Sequence, residues 1–396
     1  MNTPLDGIRV IELGTMIAVP MATHLLAGQG AKVIKVEDVL RGDELRAFGT
    51  NKGGLSAWFI SANNGKRSIA IDLKSNDGKN VLWRLLDGAD VLVEGFRPGV
   101  LERLGFGQVE VRKRFPKLVY CSSSGFGPTG PYADQPVYDP VIQSLSGLAA
   151  SQTTDGKPLL VRSIIADKTA AIMNAQAITA ALVQAARADV GAYVQMNMMA
   201  SNLGFFWGDL MMHCSLLDDD VNHQPNIMQS YRLHSCADGW VSMGIGTNDQ
   251  WAAFCAAFDR PDVLKDDRFK SAGDRANSMV AWRDAMDDVL KPFKRDDVVV
   301  KMREAGVPVA PVLDPTEVYD DPQVRAAGLL EEFNHPYAGS VRQPRASAAA
   351  FGAEIEILPA PLHGEHTRAI LEELNFDKHQ IQKLVESGSA KTWSAG

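Results

Sequence analysis

The feature that most constrains the fold is a strand–helix–strand pattern near the start of the chain. Residues 8–13 (IRVIEL) form a short apolar run, residues 20–27 a small-residue helical segment, and residues 32–36 (KVIKV) a second apolar run. Two strands that are joined by a helix pair in parallel through a right-handed crossover. This part of the sequence therefore predicts a βαβ unit.

The same alternation continues through residue 130. Further strands are predicted at residues 68–73, 91–93 and 118–122, and helices at 78–86 and 101–104. Strands that alternate with helices build an open, mostly parallel α/β sheet. Such a sheet binds its ligands at the carboxyl ends of the strands, so we expect the functional site in the loops that follow them.

The chain changes character after residue 217. An acidic and polar stretch at 218–224 indicates a linker, and residues 231–246 predict paired strands around a turn. Helices are predicted at 249–258, Met279–Leu290, 296–305, 365–374 and 377–386. We therefore predict a smaller second domain at residues 225–320.

Charge and cysteine usage narrow the class of protein. The 396 residues carry a formal net charge of −8, which argues against a nucleic-acid-binding surface. The four cysteines form no CxxC pair, a pattern typical of reduced thiols in a cytoplasmic enzyme. The first residues lack the features of a signal peptide, and no apolar run is long enough for a membrane span. We expect a cytoplasmic protein without a membrane or nucleic-acid partner.

Several familiar catalytic motifs are absent, among them the P-loop, the GxSxG elbow of serine hydrolases and the HExxH of zinc proteases. His363 and His366 have HxxH spacing, but too few other ligands lie nearby, so we predict no metal site. Arg97 precedes and Arg103 follows a Pro98-Gly99 turn. Two guanidinium groups beside a turn suit phosphate recognition, and a solvated turn is the other explanation.

Asp167 stands directly before a predicted Ala-rich helix at residues 168–186. An aspartate in that place is commonly the N-cap, whose side chain accepts a hydrogen bond from the first helical amides. The same place suits catalysis, because a helix N-terminus stabilises an ionised carboxylate and a carboxylate can attack a thioester carbonyl. From the residues alone, both interpretations stay open.

A series of motifs in a fixed order resembles the class III CoA-transferases, also called the CaiB/BaiF family. The motifs extend over nearly the whole chain. They are LDGIRVIELG, LLAGQGAKVIKVE, RGDELR, NNGKRSIAIDLK, VEGFRPGVLERLGFG, SGFGPTGPY, YDPVIQSLSGL, the Asp167 segment, ADGW and GEHT. Each motif is weak by itself, and their number and order identify the family.

The resemblance implies an α/β fold with two domains and an interlocked homodimer. Residues 1–224 and 321–396 would form a large Rossmann-like domain with an open parallel sheet, which binds CoA. Residues 225–320 would form a smaller α+β domain. The implied partners are a second copy of the chain, acyl-CoA and small carboxylic acids. No permanently bound cofactor is implied, because coenzyme A is itself part of the substrate.

The resemblance also makes Asp167 the nucleophile. Its carboxylate would attack a donor acyl-CoA and give an aspartyl anhydride and free CoA thiolate. The thiolate would then form an aspartyl-CoA thioester and release the donor acid, which is covalent catalysis in two easier steps. An acceptor carboxylate finally takes over the activated carbonyl and ends as the new CoA ester. Succinyl-CoA is the donor that the family suggests.

Motif position assigns the remaining site residues. Tyr138 joins Asp167 as a catalytic candidate, and it would lie near the thioester together with two of the CoA contacts, Ile17 and Ala18. The full set of predicted CoA contacts is Ile17, Ala18, Ile71, Lys74, Gly95, Phe96, Arg97, Arg103, Leu104 and Asp139.

Three departures from the family pattern limit what the resemblance implies for specificity and CoA binding. Ile17 stands where formyl-CoA transferases have a glutamine, and residues 225–233 lack their Gly-rich loop. We therefore expect a specificity other than formyl and oxalate transfer. Asp38 follows the second strand where a basic residue often helps to hold the nucleotide. Either Arg41 replaces that residue or the contact is missing.

Two other functions fit the same resemblance. A 2-methylacyl-CoA racemase moves a proton at the carbon beside the thioester and needs two bases, one of them a histidine at the position of Tyr138. A phenol with a pKa near about 10 is a poor base at neutral pH, so we favour the transferase. A CoA-binding protein without turnover would be expected to lack the nucleophile, whereas Asp167 is present.

Overall fold

The predicted alternation of strands and helices forms one seven-stranded sheet in the computed structural model, which describes residues 3–153, 156–223, 228, 231–353 and 358–393. Six strands are parallel: β1 (Arg9–Leu13), β2 (Lys32–Glu37), β3 (Lys66–Ile71), β4 (Val91–Glu94), β5 (Val119–Ser124) and β6 (Tyr193–Asn197). An edge strand, Ala390–Lys391, pairs antiparallel with β3. The spatial order is edge strand, β3, β2, β1, β4, β5, β6, which is the strand order of doubly wound α/β folds. The predicted α/β class and large parallel sheet are confirmed.

Helices connect the strands and follow the last one. They are α1 (Ala18–Ala27), α2 (Ala57–Asn63), α3 (Asn76–Leu86), α4 (Val100–Leu104), α5 (Gln108–Arg114), α6 (Asp139–Leu145), α7 (Leu148–Ser151), α8 (Ile165–Ala188) and α9 (Met198–Leu210). A short strand pair, Asn51–Lys52 with Leu55–Ser56, precedes α2. In the described chain, no helix combines the length and the apolar character that crossing a membrane requires.

The C-terminal segment returns to the same sheet. A hairpin of Leu330–His335 and Gly339–Pro344 comes first, and the helices Thr367–Glu373 and Lys378–Glu386 follow. The edge strand on β3 then completes the sheet.

Both faces of the sheet are buried. On one face, Ile11 of β1 belongs to a core with Leu82 of α3 and Ile370 of the C-terminal segment. On the other face, Val10 packs in a core with residues of α1 and α8 such as Leu26 and Ile178. Strands covered on both faces read as continuous apolar runs, which explains why the sheet could be predicted from the sequence.

A second compact unit, Met211–Ala327, has its own sheet and core. Its central strand, Trp240–Met243, pairs antiparallel with His234–Ser235 and with Val309–Pro311. Its helices are Asn248–Ala257, Pro261–Leu264, Ala272–Asn277, Met279–Leu290, Arg295–Glu304 and Pro322–Ala326. In the core, Trp251 stacks on Phe254 with ring centroids 5.4 Å apart.

The bounds of the two compact units differ from the predicted domain boundaries. The first unit consists of Met1–Leu210 and Gly328–Gly396, so the chain passes from one unit to the other after residues 210 and 327. The sequence placed the boundaries after residues 224 and 320, because the acidic stretch before residue 225 predicts a linker. In the structure that stretch already belongs to the second unit. Residues 225–233, where the sequence shows no Gly-rich loop, lie mostly outside the described residues.

Candidate active site

The strand order creates a crevice between β1 and β4. From β1 the chain continues to β2 and β3 on one side of the sheet, and from β4 it continues to β5 and β6 on the other side. The connections that follow β1 and β4 therefore leave in opposite directions. Open α/β sheets bind ligands in such a crevice, outside the carboxyl ends of the strands. Two cavities lie there, and both are lined by Thr15 after β1 and by Gly95 and Phe96 after β4.

Most of the predicted site residues line these two cavities. The first, which we call the Asp167 cavity, has a volume of about 360 Å³, and its lining includes Asp167, Tyr138, Asp139, Ile17, Ala18, Gly95, Phe96 and Arg97. The second, the Lys74 cavity, has a volume of about 270 Å³, and its lining includes Ile71, Lys74, Gly95, Phe96 and Leu104. Arg103 lines neither cavity. Its guanidinium lies over Gly99, where an added Cβ would come within 3.1 Å of it.

The basic residues beside the cavities are free of acidic partners. Lys74, Arg97 and Arg103 are exposed. None of the three forms an ion pair with a carboxylate of the described residues. An unpaired guanidinium or ammonium group in such a place can receive a phosphate without first giving up a protein partner.

Asp167 lies inside the first turn of α8, not in front of it. The helix begins at Ile165 after the N-cap residue Ile164, so Asp167 is the third helical residue. The capping carboxylate is that of Asp139, the first residue of α6. Its Oδ1 accepts hydrogen bonds from the amides of Ala166 at 2.6 Å and Asp167 at 3.3 Å. The N-cap interpretation of Asp167 is therefore wrong, and the Asp167 carboxylate does not cap α8.

Asp139 is itself held by Gln143, one turn further along α6. Gln143 donates from Nε2 to Oδ2 of Asp139 at 2.6 Å and to the carbonyls of Val161 and Ser163 at 3.1 and 3.2 Å. Its Oε1 accepts from the Val161 amide at 2.9 Å. Asp139 and Gln143 are only 4% and 1% exposed. Both Asp139 oxygens already accept hydrogen bonds within the protein, so this residue fixes the start of α8.

The electrostatic surroundings of Asp167 favour a proton near neutral pH. Burial, and after it the negative charge of Asp139, raise the pKa of Asp167 to about 7. A hydrogen bond from the backbone of Ala18 acts in the opposite direction. Ala18 is the first residue of α1, and this helix has no side-chain cap. Asp167 therefore lies beside a helix N-terminus, whose amides and partial positive charge stabilise anions.

Buried charges hold the loop between β1 and α1, which lines both cavities. Lys35 donates from Nζ to the Gly14 carbonyl at 2.7 Å and pairs with Glu12 at 2.7 Å and Asp43 at 2.9 Å. Asp43 accepts from the Met16 amide at 3.1 Å. Met16 has a φ of 64°, a left-handed conformation that a non-glycine residue adopts when its surroundings impose it. These buried ions thus fix the loop that leads into α1.

Two glycines in the crevice allow close packing against Val19 of α1. A Cβ on Gly14 would lie 2.4 Å from Cγ1 of Val19, and one on Gly95 would lie 3.0 Å from Cγ2. Real Cβ atoms do not approach so closely without displacement of a neighbour. A larger residue at either position would push the start of α1 away from the strand ends.

The region after β2 shows how the departure at Asp38 is accommodated. Its carboxylate accepts hydrogen bonds from amides of its own turn, including that of Arg41 at 2.9 Å. The Asp38 carbonyl lies 2.8 Å from Nε2 of His363, whereas Nδ1 of His366 lies 3.3 Å from the Ser68 amide. His363 and His366 thus contact different backbone groups, the Asp38 carbonyl and the Ser68 amide. Within the described residues, no group of three or more His, Cys, Asp or Glu side chains could hold a metal ion.

Some residues of the site carry no local signal in the sequence. Trp58 of α2 lines the Asp167 cavity, and no nearby motif links it to the site. Gln143 could have been found, because it follows Asp139 by four residues, the spacing that places two side chains on one helix face. Lys35 lies in the strand predicted at 32–36, and nothing in that run of residues indicates that its side chain is fully buried.

Comparison with known sequences identifies the family. The sequence profile of CoA-transferase family III matches residues 5–367. A succinate–glutarate CoA-transferase of Agrobacterium fabrum is 33% identical over 386 residues, which cover 94% of this chain and 96% of that protein. An acetyl-CoA:oxalate CoA-transferase of Acetobacter aceti is 32% identical over 331 residues, which cover 83% of this chain and 85% of that protein.

A solved structure agrees with the sequence comparisons. The crystal structure of a CaiB/BaiF family protein from Brucella suis matches with a TM-score of 0.81 at 30% identity, and the match covers 94% of this chain and 100% of that one. The resemblance predicted from the ordered motifs is confirmed at the level of both sequence and fold. The chain belongs to CoA-transferase family III and is a CoA-transferase.

Proposed function

We propose that the enzyme moves coenzyme A between two carboxylic acids with Asp167 as its nucleophile. The observation that carries this proposal is the position of Asp167, a half-buried carboxylate in the crevice at the strand ends and beside the N-terminus of α1. With a pKa of about 7, it is ionised in about half of the molecules at neutral pH. Because Asp139 supplies the helix cap, the Asp167 oxygens are available for attack on a thioester.

The first half of the reaction loads the enzyme. Attack of the Asp167 carboxylate on the donor acyl-CoA forms a carbon–oxygen bond and breaks the carbon–sulfur bond, which gives a mixed anhydride and a CoA thiolate. The thiolate then attacks the aspartyl carbonyl. This step forms an aspartyl-CoA thioester and expels the donor acid as its carboxylate.

The second half reverses these steps with a new acid. The acceptor carboxylate attacks the aspartyl thioester, giving a second anhydride and again a CoA thiolate. The thiolate attacks the acceptor carbonyl, so that the new acyl-CoA leaves and the Asp167 carboxylate returns. Each step exchanges one anion for another, and no proton or electron has to be supplied from outside.

Two groups beside Asp167 are suited to the charge that develops on the attacked carbonyl. The first amides of α1, at Ala18 and beyond, form a helix N-terminus and stabilise an oxyanion there. Tyr138 is 68% exposed and lies at the start of α6 on the solvent side of the cavity. We assign its hydroxyl the role of a hydrogen-bond donor to the thioester carbonyl.

The two adjoining cavities suggest the path of CoA. Ile71 and Leu104 offer apolar surface for the adenine in the Lys74 cavity, where Lys74 lies beside them. The pantetheine arm would then pass Gly95 and Phe96, which line both cavities, to reach Asp167. Arg97 and Arg103 would hold the phosphates on the way.

Further parts of the proposal come from the family. A dicarboxylic acid pair is supported by the relative whose name specifies succinate and glutarate, and succinyl-CoA is the donor that fits this pair. Both cavities belong to the unit of Met1–Leu210 and Gly328–Gly396, which would be the CoA-binding domain.

Two copies of the chain would form an interlocked homodimer. Light scattering after gel filtration should give twice the mass of one chain, and a monomer at micromolar concentration would contradict the dimer.

The nucleophile is tested by mass spectrometry of the intact protein. After incubation with succinyl-CoA and a quench with borohydride or hydroxylamine, we expect a mass change that maps to the Asp167 peptide. Asp167→Ala should give no adduct and no transfer but still bind CoA. Asp189→Asn, at the other end of α8, is the matched control and should behave as the wild type. Deuterium exchange beside the thioester without any adduct would identify a racemase instead.

A further inference from the structure

A third cavity shares part of its lining with the Asp167 cavity. It has a volume of about 510 Å³, and we call it the Lys168 cavity. Ile17, Trp58 and Ile164 line both this cavity and the Asp167 cavity, so the two cavities adjoin at these three residues. All three are apolar along the shared wall.

The Lys168 cavity is positively charged. Lys168 and Arg345 are part of its lining, whereas no aspartate or glutamate of the described residues lines it. Lys168 donates from Nζ to Oγ of Ser163 at 3.1 Å, and neither cation forms an ion pair with a carboxylate in the described chain. In a protein with a net charge of −8, two unpaired cations around one cavity indicate a place for an anion.

A hydroxyl adds to this set of donors. Ser347 also lines the Lys168 cavity, and its buried Oγ has no hydrogen-bond partner among the described residues. Buried polar groups are normally paired, so an unpaired hydroxyl beside two cations points to a missing ligand or water. A carboxylate offers acceptors for an ammonium, a guanidinium and a hydroxyl at once.

The chain connects this cavity directly to the reacting group. Lys168 follows Asp167 in α8, so their Cα atoms are about 3.8 Å apart while their side chains enter different cavities. A short acid bound to Asp167 through one carboxyl group would therefore have its far end near the shared wall. The wall side chains, including Ile17, would pack against its methylene groups.

We propose that the Lys168 cavity receives the distal carboxylate of a dicarboxylic acid whose other carboxyl group reacts at Asp167. This inference rests on the proposed function and assigns a binding site to the second carboxylate of its dicarboxylic acids. Lys168, with Arg345 and Ser347, binds the distal anion, and Ile17, Trp58 and Ile164 enclose the carbon chain between the two ends. A monocarboxylic acid of the same length leaves the two cations without a partner.

The test compares two acceptors that differ only at the far end, glutarate and pentanoate. With one donor held constant, Lys168→Met should lower kcat/KM for glutarate by about 10- to 100-fold, the range for one hydrogen bond to a charged group. The value for pentanoate should change by less than about threefold. The ratio of kcat/KM for glutarate to kcat/KM for pentanoate does not depend on how the substitution affects the reaction with the donor, because the donor is the same in both assays. Lys168→Arg should restore most of the preference, since the charge is kept.

Arg187→Met is the matched control, because Arg187 is an exposed cation in the last turn of α8. It should leave both acceptors unchanged. An equal loss for glutarate and pentanoate in Lys168→Met would show that Lys168 acts on Asp167 and would overturn the proposal.

Binding gives a second measurement that does not depend on turnover. We expect calorimetry on the Asp167→Asn protein to show that glutarate binds more tightly than pentanoate, and that Lys168→Met in this background removes the difference. If no adduct forms at Asp167 but this preference is found, the proposed mechanism fails while the carboxylate site stands. Equal affinity for the two acids, or a preference that survives Lys168→Met, would disprove the site.

Discussion

Asp167 obtains its chemistry from residues that are distant in the sequence. Asp139 lies 28 positions earlier, caps α8 and adds a negative charge beside the nucleophile. Ala18, at the start of α1, supplies the opposing positive end of a helix. The balance leaves the carboxyl group with a pKa of about 7, well above that of an ordinary aspartic acid. Protonation therefore competes with catalysis under ordinary conditions.

This pKa predicts the pH dependence of transfer. Only the ionised carboxylate attacks, so kcat/KM should rise from about pH 6 to about pH 8 with a midpoint near 7. Initial rates with succinyl-CoA, corrected for hydrolysis of the thioester in buffer, give the profile. A midpoint near about 4, the value of a solvated aspartic acid, would show that burial does not control the nucleophile.

Arg103 gives a test of the CoA path, because it was assigned by motif and lies outside both cavities. If its exposed side chain reaches a phosphate, Arg103→Ala should raise the Kd of CoA about 5- to 20-fold, since a charge-assisted hydrogen bond is lost. Calorimetry measures this. Lys113→Ala, an exposed cation on α5, is the control and should bind CoA as the wild type does. An unchanged Kd for Arg103→Ala would remove Arg103 from the site.

At the scale of the element, α6 and α8 behave as one unit. Asp139 and Gln143 on α6 hold the first turn of α8 through hydrogen bonds that are buried on both sides. The loop between β1 and α1 is held in a similar way by Lys35 and Asp43. The first turn of α8 and the loop after β1 are thus each held by side chains of another element, and not by neighbouring residues in the sequence.

Asp139→Asn should separate the two tasks of the α6 side chain. The neutral amide no longer adds a negative charge, so the midpoint of the pH–rate profile should move below that of the wild type. The amide nitrogen also faces the donating Nε2 of Gln143, which should cost about 1–2 kcal/mol in the free energy of unfolding. Urea unfolding and the rate profile measure the two effects. A midpoint at or above the wild-type value would contradict this electrostatic explanation.

Lys35→Met should be among the most destabilising single changes in the sheet. Burial opposes the charge of Lys35, but Asp43 and Glu12 outweigh it and raise the pKa of the ammonium group. Removing that ammonium takes the only ion-pair partner in the described chain from the buried Asp43 and one of two from Glu12, which Lys66 still contacts at 2.8 Å. This change should cost about 3–5 kcal/mol in urea unfolding. Lys32→Met, at the exposed start of the same strand, should cost less than about 0.5 kcal/mol. Similar losses for both variants would argue against a structural role of the buried charges.

The elements were predictable to the extent that their signals are local. The strand predicted at 32–36 is observed at Lys32–Glu37, and the helix Met279–Leu290 agrees at both ends. The helix predicted at 168–186 begins at Ile165 instead, because its cap comes from Asp139 and not from a neighbouring residue. The burial of Lys35 could not be predicted for the same reason, since its partners are brought together only by the folded sheet. Grouping the site residues required the family resemblance.

At the scale of the whole molecule, the first unit is built from two distant pieces of chain. Ile370, Leu371, Ile381 and Leu384 of the C-terminal segment are buried in the same core as Ile71 of β3. The second unit, Met211–Ala327, is inserted between the two pieces. The sheet that carries both cavities therefore depends on residues from both ends of the sequence.

Deletion of residues 328–396 should prevent the first unit from folding. The four buried side chains named above each contribute about 1.5–3 kcal/mol of apolar burial, and β3 would lose its edge partner. We expect an aggregating protein, detected by light scattering and circular dichroism. Ile370→Ala gives a graded comparison and should lose about 2–5 kcal/mol while it keeps the fold. A soluble, cooperatively unfolding truncated protein would contradict this dependence.

The pairing of the edge strand with β3 also has a consequence during protein synthesis. Ile71 and Ala390 are paired although roughly 320 residues separate them. At translation speeds of about 5–20 residues per second, tens of seconds pass between the emergence of β3 from the ribosome and that of its partner. Throughout that interval, the nascent chain presents a strand with unsatisfied backbone groups and one uncovered apolar face. Chaperones that bind extended apolar segments would have their longest contact with this chain at β3.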